Sequence, residues 1–432
     1  MESLKFNILT LGCKVNSFES EAIINYLTNK GWKFSPQDDV DVAIVNTCTV
    51  TSMSDQKSRQ AIRNMRKKYP NAIVVAMGCY TQLHSDEASE IADIVLGTNN
   101  RLMIYDLVLN YIYNKERRNV VEDIFQAKCF EELKVNSLNT HTRGFIKIQD
   151  GCENYCSYCA IPYSRGKIRS RNPLFIIDEI NMLVSQGTKE IIISGINTGA
   201  YGRDLGNINL ARLIEMIMLQ TKIYRLRISS IELMEITDEL LNIILKYHNR
   251  IANHFHIPAQ GGCDTVLKRM NRKYNTNTYL EVVDKIKAMF PNVAITTDFL
   301  AGFVGETEEE FEQAKEFIRR VGYSDMHIFP YSRRKGTVAD EMKGHLSPIV
   351  QKERTHTLLT LSNELKLEYQ SRFIGKTVEV LVENVKKGYS RGYTSNYLDV
   401  YFKSDENLEN KLVLVEITSI IDGVIYGVRK EN

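Results

Sequence analysis

The stretch "GFIKIQDGCENYCSYC", residues 144–159, places three cysteines directly after a short apolar run. The run "GFIKIQD" predicts a β-strand, so Cys152, Cys156 and Cys159 are expected on the loop at its carboxyl end. Structural zinc sites and cubane iron–sulfur clusters usually take four protein ligands, and no fourth cysteine or histidine lies nearby in the sequence. Three thiolates would leave one metal position open, which indicates chemistry at the metal. A zinc site completed by a distant histidine, His254 or His256, remains an alternative.

The region around this loop, from about residue 143 to 345, alternates apolar runs with amphipathic segments. The predicted strands are "GFIKIQD", "EIIISGI", "RLRISSI", "HFHIPAQ", "AITTDFL" and "DMHIFPY". Six βα repeats are too few for a closed eight-stranded barrel, but they suffice for a partial one. By analogy with complete barrels, the chemistry is expected at the carboxyl ends of the strands, where the three-cysteine loop lies.

Residues 1–98 show a second alternation, which predicts a βαβαβ unit with a parallel sheet of the flavodoxin or Rossmann type. One cysteine follows each predicted strand: Cys13, Cys48 and Cys79. The carboxyl ends of parallel strands share one edge of a sheet, where open α/β sheets bind ligands. These three cysteines are therefore expected to converge into a second incomplete ligand set. The alternative is three buried structural thiols at strand ends.

The last ~60 residues change in character, because short alternating runs follow one another without helices between them. The predicted strands are "KTVEVLVENV", "YLDVYF", "KLVLVEITSI" and "GVIYGVR". This pattern predicts a small antiparallel β-barrel. The fold class is therefore α/β with a small β-barrel at the end of the chain. The expected division is an N-terminal domain at 1–112, a linker at 113–142, the partial barrel with a connecting helix at 143–370, and the β-barrel at 371–432.

Composition restricts the class of protein. The chain has 432 residues, a net charge of +2 and 43% hydrophobic residues, which suits a folded protein of about three domains. No segment approaches the ~20 apolar residues that span a bilayer, and no signal peptide is evident, so a cytoplasmic protein without membrane contact is expected. Six of the eight cysteines form the two triplets, and ordinary structural roles are expected for Cys129 and Cys263.

The motifs "GCENYCSYC" and "AIPYSRG" resemble the signature of the radical S-adenosylmethionine (SAM) methylthiotransferases, and the resemblance covers nearly the whole chain. The motifs "TLGCKVNSFESEA", "NTCTVTSMSDQKSRQ" and "GCYTQ" are most similar to the branch that acts on N6-threonylcarbamoyladenosine in tRNA. Lys14 and residues 49–60 carry that distinction. Two motifs depart from the usual pattern: "GFVGET", with Val304 in place of proline, and "HIPAQGGC".

The resemblance implies two [4Fe–4S] clusters and SAM as cofactors. Cys152, Cys156 and Cys159 would hold the cluster that binds SAM and cleaves it to a 5′-deoxyadenosyl radical. Cys13, Cys48 and Cys79 would hold the second cluster, which carries a sulfur that one SAM methylates. The radical from another SAM would remove hydrogen from C2 of the adenine, and a methylthio group would replace it. An electron donor of the flavodoxin or ferredoxin type and a sulfur source are further expected partners.

Four residues are candidate SAM contacts from their places on the loop and at strand ends: Tyr158, Gly195, Ser229 and Glu232. Tyr158 lies between two cluster ligands and would pack against the adenine of SAM. It is equally consistent with a loop aromatic that fills the barrel mouth. The other three end strands at the same face, where residues often belong simply to the core.

Basic runs predict the contacts with tRNA, since phosphate contacts position RNA without reading its sequence. The candidate residues are Lys57, Arg59 and Arg63 after Cys48, Arg165, Lys167, Arg169 and Arg171 after Cys159, and Lys386, Lys387 and Arg391 in the C-terminal barrel. Tyr389, Tyr393 and Tyr397 alternate with the last group and would suit base stacking, while some of them are expected to fill the core of the barrel. The run "KRMNRK", residues 268–273, fits an RNA contact or a solvated face equally well.

Three alternatives stay open at the level of sequence. The same chemistry would serve isopentenyladenosine in tRNA, or a ribosomal protein side chain. A metal-bound RNA-binding protein without catalysis is the third alternative. It leaves unexplained why both cysteine triplets lack a fourth ligand.

Overall fold

The chain folds into two α/β units and a β-barrel in a computed structural model, which describes residues 3–37, 39–135, 142–386 and 388–430. The strands of the first unit are β1 Lys5–Thr10, β2 Lys33–Phe34, β3 Val42–Thr47, β4 Ile73–Gly78, β5 Ile94–Val95 and β6 Arg118–Asn119. Its helices are α1 Lys14–Asn29, α2 Ser52–Lys68, α3 Cys79–Leu83, α4 Ser85–Ile91 and α5 Ile104–Asn114.

The first unit is a parallel sheet with the strand order β2-β1-β3-β4-β5-β6, which is the flavodoxin order with one strand added. The predicted parallel α/β fold is confirmed. Alternate residues of β3 pack on opposite faces, Ala43 and Val45 with α2, and Val42 and Ile44 with α1 and α5. Strand β6 falls inside the segment 113–142, so part of this segment completes the sheet.

The second unit is a partial barrel. Its strands are β7 Arg143–Asp150, β8 Arg169–Ser170, β9 Glu190–Gly195, β10 Arg225–Ile228, β11 His254–His256, β12 Ala294–Ala301 and β13 Asp325–Pro330. Its helices are α6 Ile161–Arg165, α7 Pro173–Ser185, α8 Leu210–Gln220, α9 Asp238–Lys246, α10 Asp264–Arg269, α11 Thr276–Met289, α12 Glu308–Val321, α13 Val338–Glu341 and α14 Pro348–Ser371.

All six predicted strands of the barrel are present, and consecutive ones lie parallel. Short parallel bridges at Leu226–Ile251 and Ser230–His256 join β10 to β11 and so connect two sheets into one curved surface. Ile146 and Ile148 of β7 belong to the large apolar core that α7, α8, α9, α11 and α12 build outside the strands. Lys147, between them, points the other way and pairs with Glu19 of the first unit.

The third unit is a closed five-stranded barrel with the order β14-β15-β16-β18-β17. Its strands are β14 Thr377–Lys386, β15 Tyr389–Tyr393, β16 Asp399–Lys403, β17 Leu412–Ile421 and β18 Val424–Arg429. The predicted small β-barrel is confirmed, with two differences. Strand β15 lies in a segment that was interpreted only as an RNA surface, and the pair β16–β18 is parallel while the other pairs are antiparallel.

The β-barrel docks at the amino ends of the central strands, opposite the three-cysteine loop. Arg143 begins β7 and donates a hydrogen bond of 3.0 Å to the hydroxyl of Tyr397. Arg227 of β10 donates to the carbonyl of Thr394 at 3.1 Å and lies 4.2 Å from the ring centroid of Tyr397. Fully buried Glu190 accepts a hydrogen bond of 2.8 Å from Arg227. Tyr397 therefore occupies the base of the partial barrel.

A search of the described helices for a span that is both long and apolar enough to cross a membrane finds none.

Candidate functional site

The first triplet lies where β1, β3 and β4 end. Cys13 caps α1, Cys48 follows β3, and Cys79 begins α3. Because the three strands are neighbours and parallel, the three cysteines face the same edge of the sheet, beside the point where the connections from β1 and β3 run in opposite directions. Gly12 has a φ of +104°, and a Cβ there would lie 2.8 Å from Cβ of Cys48. Glycine therefore lets the two cysteine loops touch.

Two buried side chains tie these loops together. Asn16 donates to the carbonyls of Leu11 at 2.8 Å and Thr47 at 2.9 Å, which are the residues just before the Cys13 and Cys48 loops. Arg165, from the second unit, donates to the amide oxygen of Asn16 at 2.9 Å. The same arginine places its Nε 3.1 Å from Sγ of Cys79. The site is thus assembled from both α/β units.

The thiols of the first triplet are held protonated by their surroundings. Burial raises the pKa of Cys13, Cys48 and Cys79, while the charge of Arg165 acts in the opposite direction on each of them. A thiol with a raised pKa is a poor nucleophile, so the arrangement does not suit covalent cysteine catalysis. Metal binding would supply the positive charge that drives the protons off.

The second triplet lies on a tight loop after β7. Gly151 has a φ of +78°, and a Cβ there would lie 1.9 Å from the carbonyl oxygen of Lys167, so the loop requires glycine at this point. The amide of Cys159 donates to the carbonyl of Cys156 at 3.0 Å and bends the chain between these two ligands. Burial raises the pKa of both Cys152 and Cys159 to about 12.

Arg272 is a site residue that the sequence interpretation missed. It lies in "KRMNRK", yet its side chain is only 3% exposed. One terminal nitrogen lies 3.4 Å from Sγ of Cys156, and the guanidinium pairs with Glu232 at 2.5 Å and donates to the carbonyl of Pro258 at 2.9 Å. Nothing in the local sequence distinguishes Arg272 from its exposed basic neighbours, because its partners are distant along the chain.

The four candidate SAM contacts lie on or near the carboxyl ends of the strands, and their role stays a prediction. Glu232 forms the ion pair with Arg272 described above. Ser229 hydrogen-bonds Thr198 at 3.0 Å. At Gly195 a Cβ would lie 2.8 Å from the amide oxygen of Gln149, so this glycine allows β7 and β9 to approach closely.

Tyr158 packs edge-on against Phe303, with ring centroids 6.1 Å apart. Phe303 belongs to a buried cluster that also contains Val304 of "GFVGET" and Cys263 of "HIPAQGGC", the two motifs that depart from the usual pattern. Cys263 and Val304 therefore contribute to the packing behind the second triplet. Neither residue is among the six candidate ligands. The alternative in which Tyr158 fills the barrel mouth also fits this contact.

The donor sets suit clusters better than single ions. Across the described ranges, no three His, Cys, Asp or Glu side chains converge as the ligands of one metal ion do. The ligands of a cubane each bind a different iron, so they need not converge on one point. His254 and His256 both hydrogen-bond Thr296, at 2.8 and 2.9 Å, and His256 also faces Asp298. The alternative of a zinc site completed by either histidine is therefore not supported.

The RNA prediction is wrong for three arginines of "RGKIRSR". Arg165, Arg169 and Arg171 are at most 2% exposed, so they cannot reach phosphates. Arg165 serves the first triplet, Arg169 donates to two backbone carbonyls of its own loop, and Arg171 pairs with two glutamates. Lys167, between them, is exposed.

The other predicted RNA contacts vary in exposure. Lys57, Arg63 and Lys386 are exposed, Arg59 pairs with Glu87 at 3.5 Å, and Arg391 pairs with Asp399 at 2.6 Å, while Lys387 lies outside the described residues. Of the three tyrosines that were interpreted as stacking rings, Tyr397 packs against Arg227 at the base of the partial barrel. Tyr389 is exposed.

Models of two known families match the chain. The Radical SAM superfamily matches residues 146–318, which hold the second triplet, and the uncharacterized protein family UPF0004 matches residues 5–97, which hold the first.

Curated relatives match the chain almost from end to end. The threonylcarbamoyladenosine tRNA methylthiotransferase MtaB of Bacillus subtilis is 41% identical over 421 residues, covering 94% of this chain and 92% of the relative. The tRNA-2-methylthio-N(6)-dimethylallyladenosine synthase of Thermoanaerobacter pseudethanolicus is 34% identical and covers 96% and 91%. Among solved structures, the radical SAM methyltransferase TsrM of Kitasatospora setae shares the fold, with a TM-score of 0.60, 12% identity, and coverage of 78% and 77%.

Proposed function

The chain belongs to the radical SAM methylthiotransferase family, and we propose that it adds a methylthio group to C2 of N6-threonylcarbamoyladenosine in tRNA, beside the anticodon. The observation that carries the proposal is the pair of three-cysteine sites on adjoining sheet edges, in a chain 41% identical to a relative named for this activity. The relatives named for dimethylallyladenosine are 33–35% identical, which favours the threonylcarbamoyl branch.

Two [4Fe–4S] clusters and SAM are the cofactors of this family, and the two triplets are their proposed ligands: Cys13, Cys48 and Cys79 for one cluster, and Cys152, Cys156 and Cys159 for the other. When bound, these groups supply the radical that removes the C2 hydrogen and the sulfur and methyl group that replace it. C2 of adenine carries no acidic proton, so we assign no catalytic base.

The chain's own residues position and shield this chemistry. Arg272 orients Cys156 and holds Glu232 at the carboxyl end of the strands, where we propose that Tyr158, Gly195, Ser229 and Glu232 contact SAM. Tyr397, on the C-terminal barrel, lies against Arg227 at the opposite end of the strands, where we propose that it helps to keep water out. We propose the division 1–112, 113–142, 143–370 and 371–432, in which the linker also donates strand β6.

The proposed tRNA contacts are the exposed or half-buried cations near the two triplets and on the C-terminal barrel. Lys57, Arg59 and Arg63 lie on α2, which begins shortly after Cys48, and Lys167 lies between α6 and β8, shortly after Cys159. Lys386 and Arg391 lie on the docked barrel, where they would bind RNA farther from the target base. Such contacts add affinity and salt dependence and do not choose the base.

The remaining partners follow from the chemistry. The radical step consumes an electron, so we propose a flavodoxin or ferredoxin as donor, and the inserted sulfur requires a separate sulfur source. We propose a cytoplasmic location, since the relatives are named for tRNA and the described cysteines are free thiols.

Nucleoside mass spectrometry of tRNA from a deletion strain tests the proposal. We expect loss of 2-methylthio-N6-threonylcarbamoyladenosine, accumulation of the parent nucleoside, and recovery of the methylthio form when the gene is restored. Loss of the methylthio group from the isopentenyl series would move the protein to the other tRNA branch. Unchanged tRNA with altered ribosomal protein would contradict the tRNA assignment.

Iron and sulfide counts on anaerobically prepared protein separate catalysis from simple RNA binding. Two cubanes correspond to about eight iron atoms per chain, and Cys48→Ala or Cys156→Ala should each remove about half of them. Bound zinc in place of iron would contradict an enzymatic role.

A further inference from the structure

Arg165 spans the interface between the two candidate clusters. It ends α6, six residues after Cys159, yet its guanidinium reaches the first unit. Nε lies 3.1 Å from Sγ of Cys79, one terminal nitrogen donates to Asn16 at 2.9 Å, and the other pairs with Glu19 at 2.5 Å. The side chain is fully buried. A single arginine therefore connects the loop of the second triplet with a ligand of the first.

The buried charges around Arg165 contain one more cation than carboxylates. The cations are Arg101, Lys147, Arg165 and Arg169, and the carboxylates are Glu19, Glu131 and Asp150. Burial alone would raise the pKa of Glu19, but Arg101, Arg165 and Lys147 lower it to about 2, so Glu19 is charged at neutral pH. An uncompensated buried charge is costly, so this surplus requires an anion nearby.

Cys79 lies where that anion is needed. Its Sγ lies 3.1 Å from Nε of Arg165, so a group bound to this sulfur would lie beside the surplus charge. A cubane held by thiolates is an anion and becomes more negative on reduction. The loaded first cluster would therefore balance the buried network, which supports the fit between these residues and the cluster.

We propose that Arg165 is a positioning residue between the two cluster sites. Its N–H group stabilises the anionic first cluster and fixes that cluster against the loop of the second triplet. This inference rests on the proposed function, because it requires a cluster at each triplet. Hydrogen bonds to cluster sulfurs favour the more negative, reduced state and so raise the reduction potential. Removal of the Arg165 N–H group should shift the potential of the first cluster to more negative values.

The test uses the full-length chain with Cys152, Cys156 and Cys159 replaced by alanine, so that only the first cluster is present. Arg165→Gln removes the charge, and Arg165→Lys keeps the charge but cannot contact all three partners at once. Arg171→Gln is the matched control, because Arg171 is equally buried and pairs with Glu132 and Glu179. An EPR-monitored redox titration gives the midpoint potential, and iron analysis gives the occupancy.

We expect a negative shift in Arg165→Gln, a smaller negative shift in Arg165→Lys, and the parent potential in Arg171→Gln. Loss of iron in Arg165→Gln alone, with native circular dichroism, would also support a role of Arg165 in holding the first cluster. If Arg165→Gln does not fold, the midpoint potential of Arg165→Lys provides the test. Parent potentials in every folded Arg165 variant, or an equal shift in Arg171→Gln, would overturn the inference. None of these measurements involves tRNA, so a wrong substrate assignment would leave their outcome unchanged.

Discussion

Lys14 directly follows the candidate ligand Cys13 and begins α1. Its side chain is exposed and pairs with no carboxylate of the described residues, whereas the buried Lys147 pairs with Glu19. Burial lowers the pKa of His254, and nearby positive charges, Lys14 among them, lower it further. The charge of Lys14 therefore acts on the interior of the partial barrel. The threonylcarbamoyl group of the proposed substrate ends in a carboxylate, which an isopentenyl group lacks.

We predict that Lys14→Gln raises the KM for threonylcarbamoyladenosine tRNA about tenfold and changes kcat little. The expected cause is the loss of a charge-assisted hydrogen bond worth about 1.5 kcal/mol. Steady-state kinetics with modified tRNA provide the measurement. Lys33→Gln, at an exposed lysine on β2, is the control. Equal KM values for the two variants would remove Lys14 from substrate recognition.

Arg272 supports the second triplet as Arg165 supports the first. Arg272→Gln removes the N–H group near Cys156 and leaves Glu232 without its partner, so we predict a 10–100-fold loss in the retention of the second cluster. Iron release during a chelator challenge measures this loss. Arg269→Gln is the control, since Arg269 lies in the same basic run and pairs with Glu310 instead. Similar release rates for both variants would show a general effect of losing charge.

These arginines mark the limit of sequence interpretation for single residues. In "RGKIRSR" the arginines are indistinguishable by composition from a phosphate-binding run. Their partners, Glu19, Glu132 and Glu179 among them, belong to other elements. Only the tertiary fold brings these charges together, so burial of the basic run could not be predicted. The cysteines were predictable, because position after a strand fixes their edge of the sheet.

At the scale of elements, the first site depends on two loops that approach very closely. Gly12 has a positive φ, and a Cβ there would overlap Cys48. We predict that Gly12→Ala costs about 1–3 kcal/mol and lowers iron binding at the first triplet. Thermal unfolding and iron analysis check both effects.

Gly31 provides the control for this substitution. It also has a positive φ, of +89°, but a Cβ there would meet nothing within 4 Å. Gly31→Ala should therefore show the backbone strain alone and retain full iron. Equal iron loss in the two variants would attribute the effect to strain rather than to contact between the cysteine loops.

The elements themselves were largely predictable, and the exceptions have identifiable causes. Long apolar runs such as "DVAIVNT" and "AIVVAMG" predict buried parallel strands, and both are present as β3 and β4. Two-residue strands such as β5 and β6 have no periodicity of their own and form only because a neighbour offers free hydrogen-bonding groups. Strand β15 was hidden because its alternating basic and aromatic residues also suit an RNA surface.

At the scale of the molecule, Glu190 helps to hold the C-terminal barrel on the partial barrel. It pairs with Arg225 and Arg227, which in turn donate to backbone carbonyls of residues 393–395. Burial would raise the pKa of Glu190, but Arg227, Arg225 and Arg143 lower it to about 2. Because the folded pKa lies below the ordinary value of 4.5, this carboxylate stabilises the fold above pH 4.5, and the contribution declines as the pH falls towards 2.

We predict that Glu190→Gln lowers the stability of the docked state by about 3–5 kcal/mol at pH 7, because two buried arginines lose their partner. The difference from the parent protein should shrink as the pH falls from 4.5 towards 2. The urea midpoint of the first unfolding transition, followed across this range, provides the measurement. Glu383→Gln, at a half-buried partner of Arg143, is the control and should show a smaller loss. A pH-independent difference would contradict the role of the Glu190 charge.

The way in which the three units dock could not be predicted from the sequence. Each unit is encoded by its own local pattern, but the contacts between them involve single polar side chains such as Arg143, Arg227 and Tyr397. Tyr397 belongs to a segment whose composition predicts RNA stacking, and its ring instead lies on a guanidinium at the base of the partial barrel.

The position of Tyr397 also bears on the side from which substrates enter the partial barrel. Because that ring lies beneath the central strands, we expect SAM and the RNA base to enter from the opposite side, at the carboxyl ends of the strands. If both SAM molecules of one cycle entered from that side, the products of the first would have to leave before the target adenosine binds, or the RNA would have to dissociate to admit the second. A tyrosine at the end of the barrel opposite the second triplet would then constrain the order in which the substrates bind.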